Sequence, residues 1–216
     1  MAPFASIYSW PNNPRLLKTL AAANINGLSI ELPPFKFGET NKDPAWLSKF
    51  PLGKVPALET HGDAPVYVAE SAAIAHFVAD SGPAREQLLG STPAERAKIQ
   101  QWIFHAETEL TPQVMVGIRP RIGRGEYDAE AETKAIAAID RVIAVVEEIL
   151  GKEKWLVGGE KLSMADLAVA TCLQSSLKVW LGREWREKWP RTIEWYEKTI
   201  ESDGVKEAWG PKVYVD

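Results

Sequence analysis

The sequence predicts an α/β domain over residues 1–80 followed by an all-helical domain over residues 92–216. Three observations carry this. Apolar residues alternate between period two and helical spacing through the first eighty positions. From about residue 92 onward only the helical period remains. Between the two stretches lies Ser81-Gly82-Pro83, a turn-forming break.

The elements follow in order. Ile7 and Tyr8 sit in a short apolar strand, and Pro14 to Ala23 places Leu16, Leu17, Leu20 and Ala21 at helical spacing. Leu28, Ile30 and Leu32 alternate with Ser29 and Glu31, a half-buried strand. Asp43-Pro44 reads as an N-cap with proline in the first turn, opening a short helix through Trp46 and Leu47. Strands over Val55–Thr60 and Val66–Ala69 flank a turn at His61-Gly62-Asp63-Ala64-Pro65, and a helix runs from Ser71 to about Val78. In the second half, Thr92-Pro93-Ala94-Glu95 is a capping box leading into one long helix striped by Ile99, Trp102, Ile103, Ala106 and Leu110. Ile136, Ile139, Ile143, Val146 and Leu150 step by three and four along another helix. Ser163 to Asp166 is a second capping box with Leu162 and Leu167 as its hydrophobic staple, and a last helix covers Thr192–Glu201 after Pro190.

Composition is that of a globular protein, 45% hydrophobic and 25% charged. A formal net charge of −4 argues against a nucleic-acid backbone as partner. Cys172 is the single cysteine, which precludes an intrachain disulfide and fits a reducing compartment. No apolar run is long enough to span a bilayer, and Met1 to Trp10 lacks the pattern of a secretory signal. The expectation is a cytoplasmic, soluble protein with no membrane partner. His61, His76 and His105 show no ligand spacing with carboxylates or thiols, so no metal site is expected.

The stretch from Gly53 to Phe77 carries the chemistry. Val55-Pro56 interrupts a strand with a residue that has no N–H. A cis bond there would turn the chain and leave the Val55 N–H and C=O free to pair with a short extended peptide. Glu70-Ser71 stands where strand gives way to helix, and a helix N-terminus offers open N–H groups to a carboxylate. The Ser71 hydroxyl adds a donor and the Glu70 carboxylate a seat for an ammonium group. Together these describe a site for a small zwitterionic peptide.

These residues, in this order and ahead of a helical domain, resemble the cytosolic glutathione transferases. The likeness extends to the transferase-like domain of the gamma subunit of eukaryotic translation elongation factor one, through the segments FPLGKVPAL, QLLGSTPAE, LVGGEKLSMADL and REWREKWPRTIEWY. The resemblance implies a thioredoxin-like N-terminal domain and glutathione as co-substrate. Val55 and Pro56 would pair with its cysteinyl part, Glu70 and Ser71 would hold the γ-glutamyl end, and Lys54 would reach the glycyl carboxylate. It also implies a two-fold homodimer and conjugation or reduction of small electrophiles. The alternative it implies is a non-catalytic scaffold that docks the other elongation factor 1B subunits.

Conjugation needs the thiol as thiolate, so a donor must face the sulfur. In this family the donor comes from the end of the first strand or the start of the first helix. Several classes place a serine four residues before the helix's basic residue, which here is Pro11, while one fungal group uses asparagine three residues before it, which here is Asn12. Asn12 is therefore the first candidate, Ser9 the second and Tyr8 the third, although Pro11-Asn12-Asn13-Pro14 is also a turn sequence in its own right. Tyr8 and Arg119 are the weaker candidates for the electrophile side.

Overall fold

The computed structural model describes residues 2–216, so the first residue of the expected N-terminal segment lies outside it. The chain divides into two compact units. One holds residues up to Arg85 together with Asp203–Trp209, and the other holds Glu86–Ser202 with Gly210–Asp216.

The first unit is a four-stranded mixed sheet with helices. Strands β1 (Ala5–Tyr8), β2 (Ile30–Glu31), β3 (Ala57–Thr60) and β4 (Tyr67–Ala69) lie in the order β2-β1-β3-β4. β1 pairs with β2 in parallel and with β3 antiparallel, and β3 pairs antiparallel with β4. This is the expected thioredoxin-like arrangement. Helix α1 (Leu17–Ile25) follows a single 3-10 turn at Pro14–Leu16, and α2 (Pro44–Lys49) is capped by Asp43, whose carboxylate accepts from the Ala45 N–H at 2.8 Å. Helix α3 (Ser71–Asp80) packs against α1, burying Ile74, Ala75, Val78 and Ala79.

Three details differ from the expectation. Pro56 stands one residue before β3, not inside it, so its missing N–H takes nothing from the ladder. β2 is a two-residue edge strand, and Leu32 is exposed beyond it. On α1 the buried face is rotated: Lys18 and Thr19 are buried where Leu17 and Leu20 are only half-buried. A short helix at Lys206–Trp209 returns to this unit and packs on α1. The Trp209 indole donates to the Leu17 carbonyl at 2.8 Å and the Asn24 amide to the Gly204 carbonyl at 2.9 Å.

The second unit is wholly helical. After α4 (Arg85–Leu89), α5 (Pro93–Phe104) begins at the expected capping box, with Thr92 accepting from the Glu95 N–H. The expected single helix then widens into a π turn at His105–Leu110 before α6 (Thr111–Arg121). Pro112 is the physical cause: it offers no N–H to the preceding turn and its ring crowds the carbonyl four residues back. The Thr111 hydroxyl bridges the wider turn by donating to the Ala106 carbonyl at 2.7 Å. The stripe itself holds, with Ile99, Trp102, Ile103, Ala106 and Leu110 all buried.

Helix α7 (Ala129–Leu150) buries Ile139, Ile143 and Val146, and α8 (Met164–Val179) forms the centre of the unit. The Asp166 carboxylate, fully buried, closes the α8 cap. It accepts from the N–H groups of Leu156 and Ser163, the Ser163 hydroxyl and the Trp195 indole, at 2.8 to 3.0 Å. Complete burial pushes the Asp166 carboxyl above the ordinary carboxylate range against the pull of those four donors. Helices α9 (Arg183–Lys188) and α10 (Pro190–Glu201) complete the unit, and α11 (Lys206–Trp209) belongs to the first. Among the described residues no helix is long and apolar enough to cross a membrane.

A second tie joins α6, α7 and α8. Arg121 pairs with Glu132 at 2.8 Å, and the Trp180 indole donates to the same carboxylate. Burial alone would raise the Glu132 carboxyl, but its donors from Arg121 and Trp180 carry it below the usual range. The Trp180 ring lies on Gly117, where an added Cβ would fall 2.1 Å from the indole.

Two stability outcomes follow. Asp166→Ala leaves two backbone N–H groups and an indole buried without an acceptor, and should cost roughly 3–5 kcal/mol in a denaturant titration. Gly117→Ala should destabilise by about 2 kcal/mol through overpacking, although alanine in an open helix would gain about 1 kcal/mol over glycine. A neutral or stabilising result would show that the Trp180 ring moves freely.

Candidate functional site

The site is built in the first unit from three chain segments. The loop before β3 brings in Val55-Pro56 through a cis peptide bond. Its approach is fixed by Asn41, whose amide donates to the Gly53 carbonyl at 2.8 Å and accepts from the Gly38 N–H at 2.6 Å. Gly53 has φ 56°, and a Cβ there would meet the Asn41 carbonyl at 2.8 Å, so only glycine fits. Ladder pairing starts at Ala57, which leaves the Val55 backbone outside the sheet. Val55 packs with Tyr8 and Phe35 against Trp46, Phe50 and Ala57, while Lys54 is exposed.

The second segment is the β4–α3 junction. Glu70 occupies φ 71°, ψ 122°, a conformation costly for any side chain other than glycine. That geometry turns the chain abruptly into α3. Glu70 is exposed and its carboxylate does not cap the helix. Helices α2, α5, α7 and α8, by contrast, each close their own N-terminus with a side chain. Ser71, the first residue of α3, is 3% exposed and accepts from the Lys18 ammonium at 3.2 Å. The junction thus presents helix N–H groups, a hydroxyl with a cation behind it, and a free carboxylate beside them. A carboxylate and an ammonium group on one small ligand match that pattern.

The third segment runs from Tyr8 to Arg15. Asn13 caps the first turn by accepting from the Arg15 N–H at 3.1 Å, and its amide donates to the Ser9 hydroxyl at 2.9 Å. Asn12 sits at φ 57° on the exposed tip of the turn, a conformation asparagine tolerates well. The Tyr8 hydroxyl faces Glu59 at 3.4 Å, and Glu59 is paired with Lys49 at 2.8 Å. Burial, with the Glu59 charge beside it, raises the Tyr8 phenol above its ordinary value, so it stays protonated. Arg119 belongs to the second unit and is exposed near the end of α6.

The structure therefore gathers Ser9, Asn12, Lys54, Val55, Pro56, Glu70 and Ser71 in one unit. Lys18, Asn13 and Asn41, none of them among the sequence candidates, hold them in place. Lys18 carried a signal, because a lysine three and four residues before Ala21 and Ala22 lies on an apolar stripe. Among the described residues no group of three His, Cys, Asp or Glu side chains could hold a metal ion.

The sequence profile of the glutathione S-transferase N-terminal domain matches residues 5–80, and that of the C-terminal domain matches residues 98–198. A glutathione S-transferase-like protein of a Fusarium species is 42% identical over the whole chain and over 97% of its own length. The chain belongs to the glutathione S-transferase family. A second glutathione S-transferase-like protein, from Gibberella moniliformis, is 40% identical over 97% of this chain and 94% of its own length. Elongation factor 1-gamma of Carassius auratus is 34% identical over 95% of the chain, which spans 46% of that protein. Among solved structures, a glutathione transferase of Phanerochaete chrysosporium in complex with oxidized glutathione superposes with a TM-score of 0.85 at 24% identity, covering 96% of each chain. The transferase-like domain of elongation factor 1-gamma from Saccharomyces cerevisiae gives 0.82 at 22% identity, covering 100% of this chain and 97% of that domain. Both show the fold of the transferases.

Within that family fold the strained junction has a testable consequence. Glu70→Gly relieves a positive-φ side chain worth about 1–3 kcal/mol of strain, partly offset by the entropy glycine adds to the unfolded chain. The variant should melt at or above the wild-type temperature in a thermal scan. A clear loss of stability would show that the Glu70 side chain holds the junction together.

Proposed function

We propose that this transferase-family protein binds glutathione through Val55, Pro56, Glu70 and Ser71, and directs its thiolate at small electrophiles. The observation that carries the reading is the open N-terminus of α3, with the Ser71 hydroxyl held from behind and the Glu70 carboxylate left exposed. In this reading the α-carboxylate of the γ-glutamyl group accepts from the α3 N–H groups and Ser71. Its ammonium group lies against Glu70, and the cysteinyl backbone pairs with Val55 as an added strand. Lys54, exposed just before Val55, faces the glycyl carboxylate. Conjugation and reduction both begin from the thiolate, with Ser9 and Asn12 as candidate donors to it and Tyr8 toward the electrophile. The protein works in the cytoplasm as a two-fold homodimer. The solved relative with oxidized glutathione and the transferase-like fungal relatives support this reading.

A second reading is favoured by one observation, the 34% identity to elongation factor 1-gamma. There the chain serves as a docking scaffold for elongation factor 1B subunits. The two readings part at the chemistry.

Calorimetry should give a measurable glutathione affinity for the wild type. The double variant Glu70→Ala, Ser71→Ala removes two charge-assisted contacts of about 1.5–3 kcal/mol each, a loss of at least about 100-fold. Wild-type affinity in that variant would remove the site assignment. Turnover of an aromatic halide by the wild type supports the enzyme. Glutathione binding without turnover supports the scaffold.

A further inference from the structure

We propose that Asn13 is a positioning residue that makes Ser9, and not Asn12, the hydrogen-bond donor to the ligand thiolate. The inference rests on the glutathione reading above and concerns which atom faces the sulfur.

The orientation of the Asn13 side chain is fixed by chemistry. Its Oδ1 receives the Arg15 backbone N–H at 3.1 Å, and a backbone N–H can only donate. The amide nitrogen must therefore face the other way, and it lies 2.9 Å from Ser9 Oγ. At 3% exposure Asn13 has no solvent to compete for either contact. Ser9 Oγ is thus an acceptor toward Asn13, and its own proton must point elsewhere. Among the described residues the Ser9 hydroxyl has no acceptor for that proton. A half-buried hydroxyl at the end of β1, fed from behind and free in front, is an oriented donor.

Asn12 is accounted for without any contact to a ligand. Its exposed side chain and φ of 57° are what the tip of a tight turn asks of an asparagine. Tyr8 is engaged by Glu59. Ser9 remains as the donor that the segment holds ready. When the thiol ionises, its proton leaves to solvent and Ser9 keeps its own, donating O–H to the sulfur anion. The hydrogen bond stabilises the thiolate and lowers the thiol pKa.

Asn13→Asp tests this by reversing one hydrogen bond. Aspartate still caps the Arg15 N–H, but it cannot donate to Ser9 and instead draws the Ser9 proton toward itself. The ultraviolet absorbance of the thiolate, titrated on the glutathione complex, should show the thiol pKa raised by about one unit, a tenfold loss of thiolate at neutral pH. The pH–rate profile for aromatic halide conjugation should move up by the same amount. Glutathione affinity measured at acidic pH, where the thiol is protonated, should stay within about twofold, and the variant should remain folded with a melting temperature lowered by the carboxylate at the buried position. Ser9→Ala, which leaves the cap untouched, should give the same shift.

The new carboxylate also carries charge, so the decisive measurement is Asn13→Asp in the Ser9→Ala background. No further shift there shows that Asn13 acts through Ser9, and an equal shift there overturns the proposal. So does an unchanged thiol pKa in Ser9→Ala, or a shift produced by Asn12→Ala alone. If the wild type binds glutathione with an ordinary thiol pKa, this inference falls and the binding site stands. If it binds no glutathione, both fall.

Discussion

A helix N-terminus that its own sequence leaves open is the constraint on which the first unit turns. Each N-terminal N–H of a helix needs an acceptor, and a local side chain is the usual one. Asp43, Thr92, Asp128 and Ser163 act this way for α2, α5, α7 and α8. At α3 the residue in the cap position is Glu70, held at φ 71° and making no side-chain cap hydrogen bond. The strain of that conformation is kept although a glycine there would remove it. Once the junction is fixed, the rest of the unit follows. β4 must end at Ala69, α3 must pack on α1, and α1 must bring Lys18 beneath Ser71.

The same device appears twice. Ser71 and Ser9 are hydroxyls that each accept from a buried side chain behind them, Lys18 in one case and Asn13 in the other. A hydroxyl that accepts on one side is left to donate on the other, so the fold itself polarises both in one direction. Preorganisation of this kind belongs to the packing of the unit. The donors behind the hydroxyls lie on α1 and at its entrance, and the anchoring of α1 by Trp209 and Asn24 to the returning segment therefore bears on the site from a distance.

Much of the fold was legible in the sequence, and for physical reasons. Capping boxes at Thr92 and Ser163, proline in the first turn after Asp43, and the stripe from Ile99 to Leu110 are local patterns whose energetics do not depend on distant partners. What was not legible depended on tertiary contact. Lys18 is buried with a partner, Ser71, that lies fifty-three residues away. The π turn needs Pro112 and Thr111 together with a stripe that stays continuous. At β2, alternation at Leu28, Ile30 and Leu32 mimics a longer half-buried strand although the edge strand ends after two residues. At the candidate site the binding letters, Val55-Pro56 and Glu70-Ser71, form a recognisable string. The turn from Ser9 to Asn13 holds four polar or turn-forming residues, Ser9, Pro11, Asn12 and Asn13, and only side-chain geometry separates the cap from the tip.

That difference bears on how the family's two kinds of relative arise from one architecture. The open α3 terminus and the loop before β3 are held by the sheet, by Asn41 and by α1, and every one of these also stabilises the fold. They persist as long as the unit folds, whatever the protein does. Under the proposed reading, thiol activation rests instead on the half-buried Ser9 hydroxyl and the Asn13 amide behind it. A scaffold can lose the second and keep the first, so a peptide-shaped site is weak evidence for catalysis in this family. Here the Asn13–Ser9 pair is intact and aligned, with the amide donating to the hydroxyl and not the reverse. This contact gives the buried Asn13 amide its acceptor, and under the proposed reading it also orients the Ser9 hydroxyl.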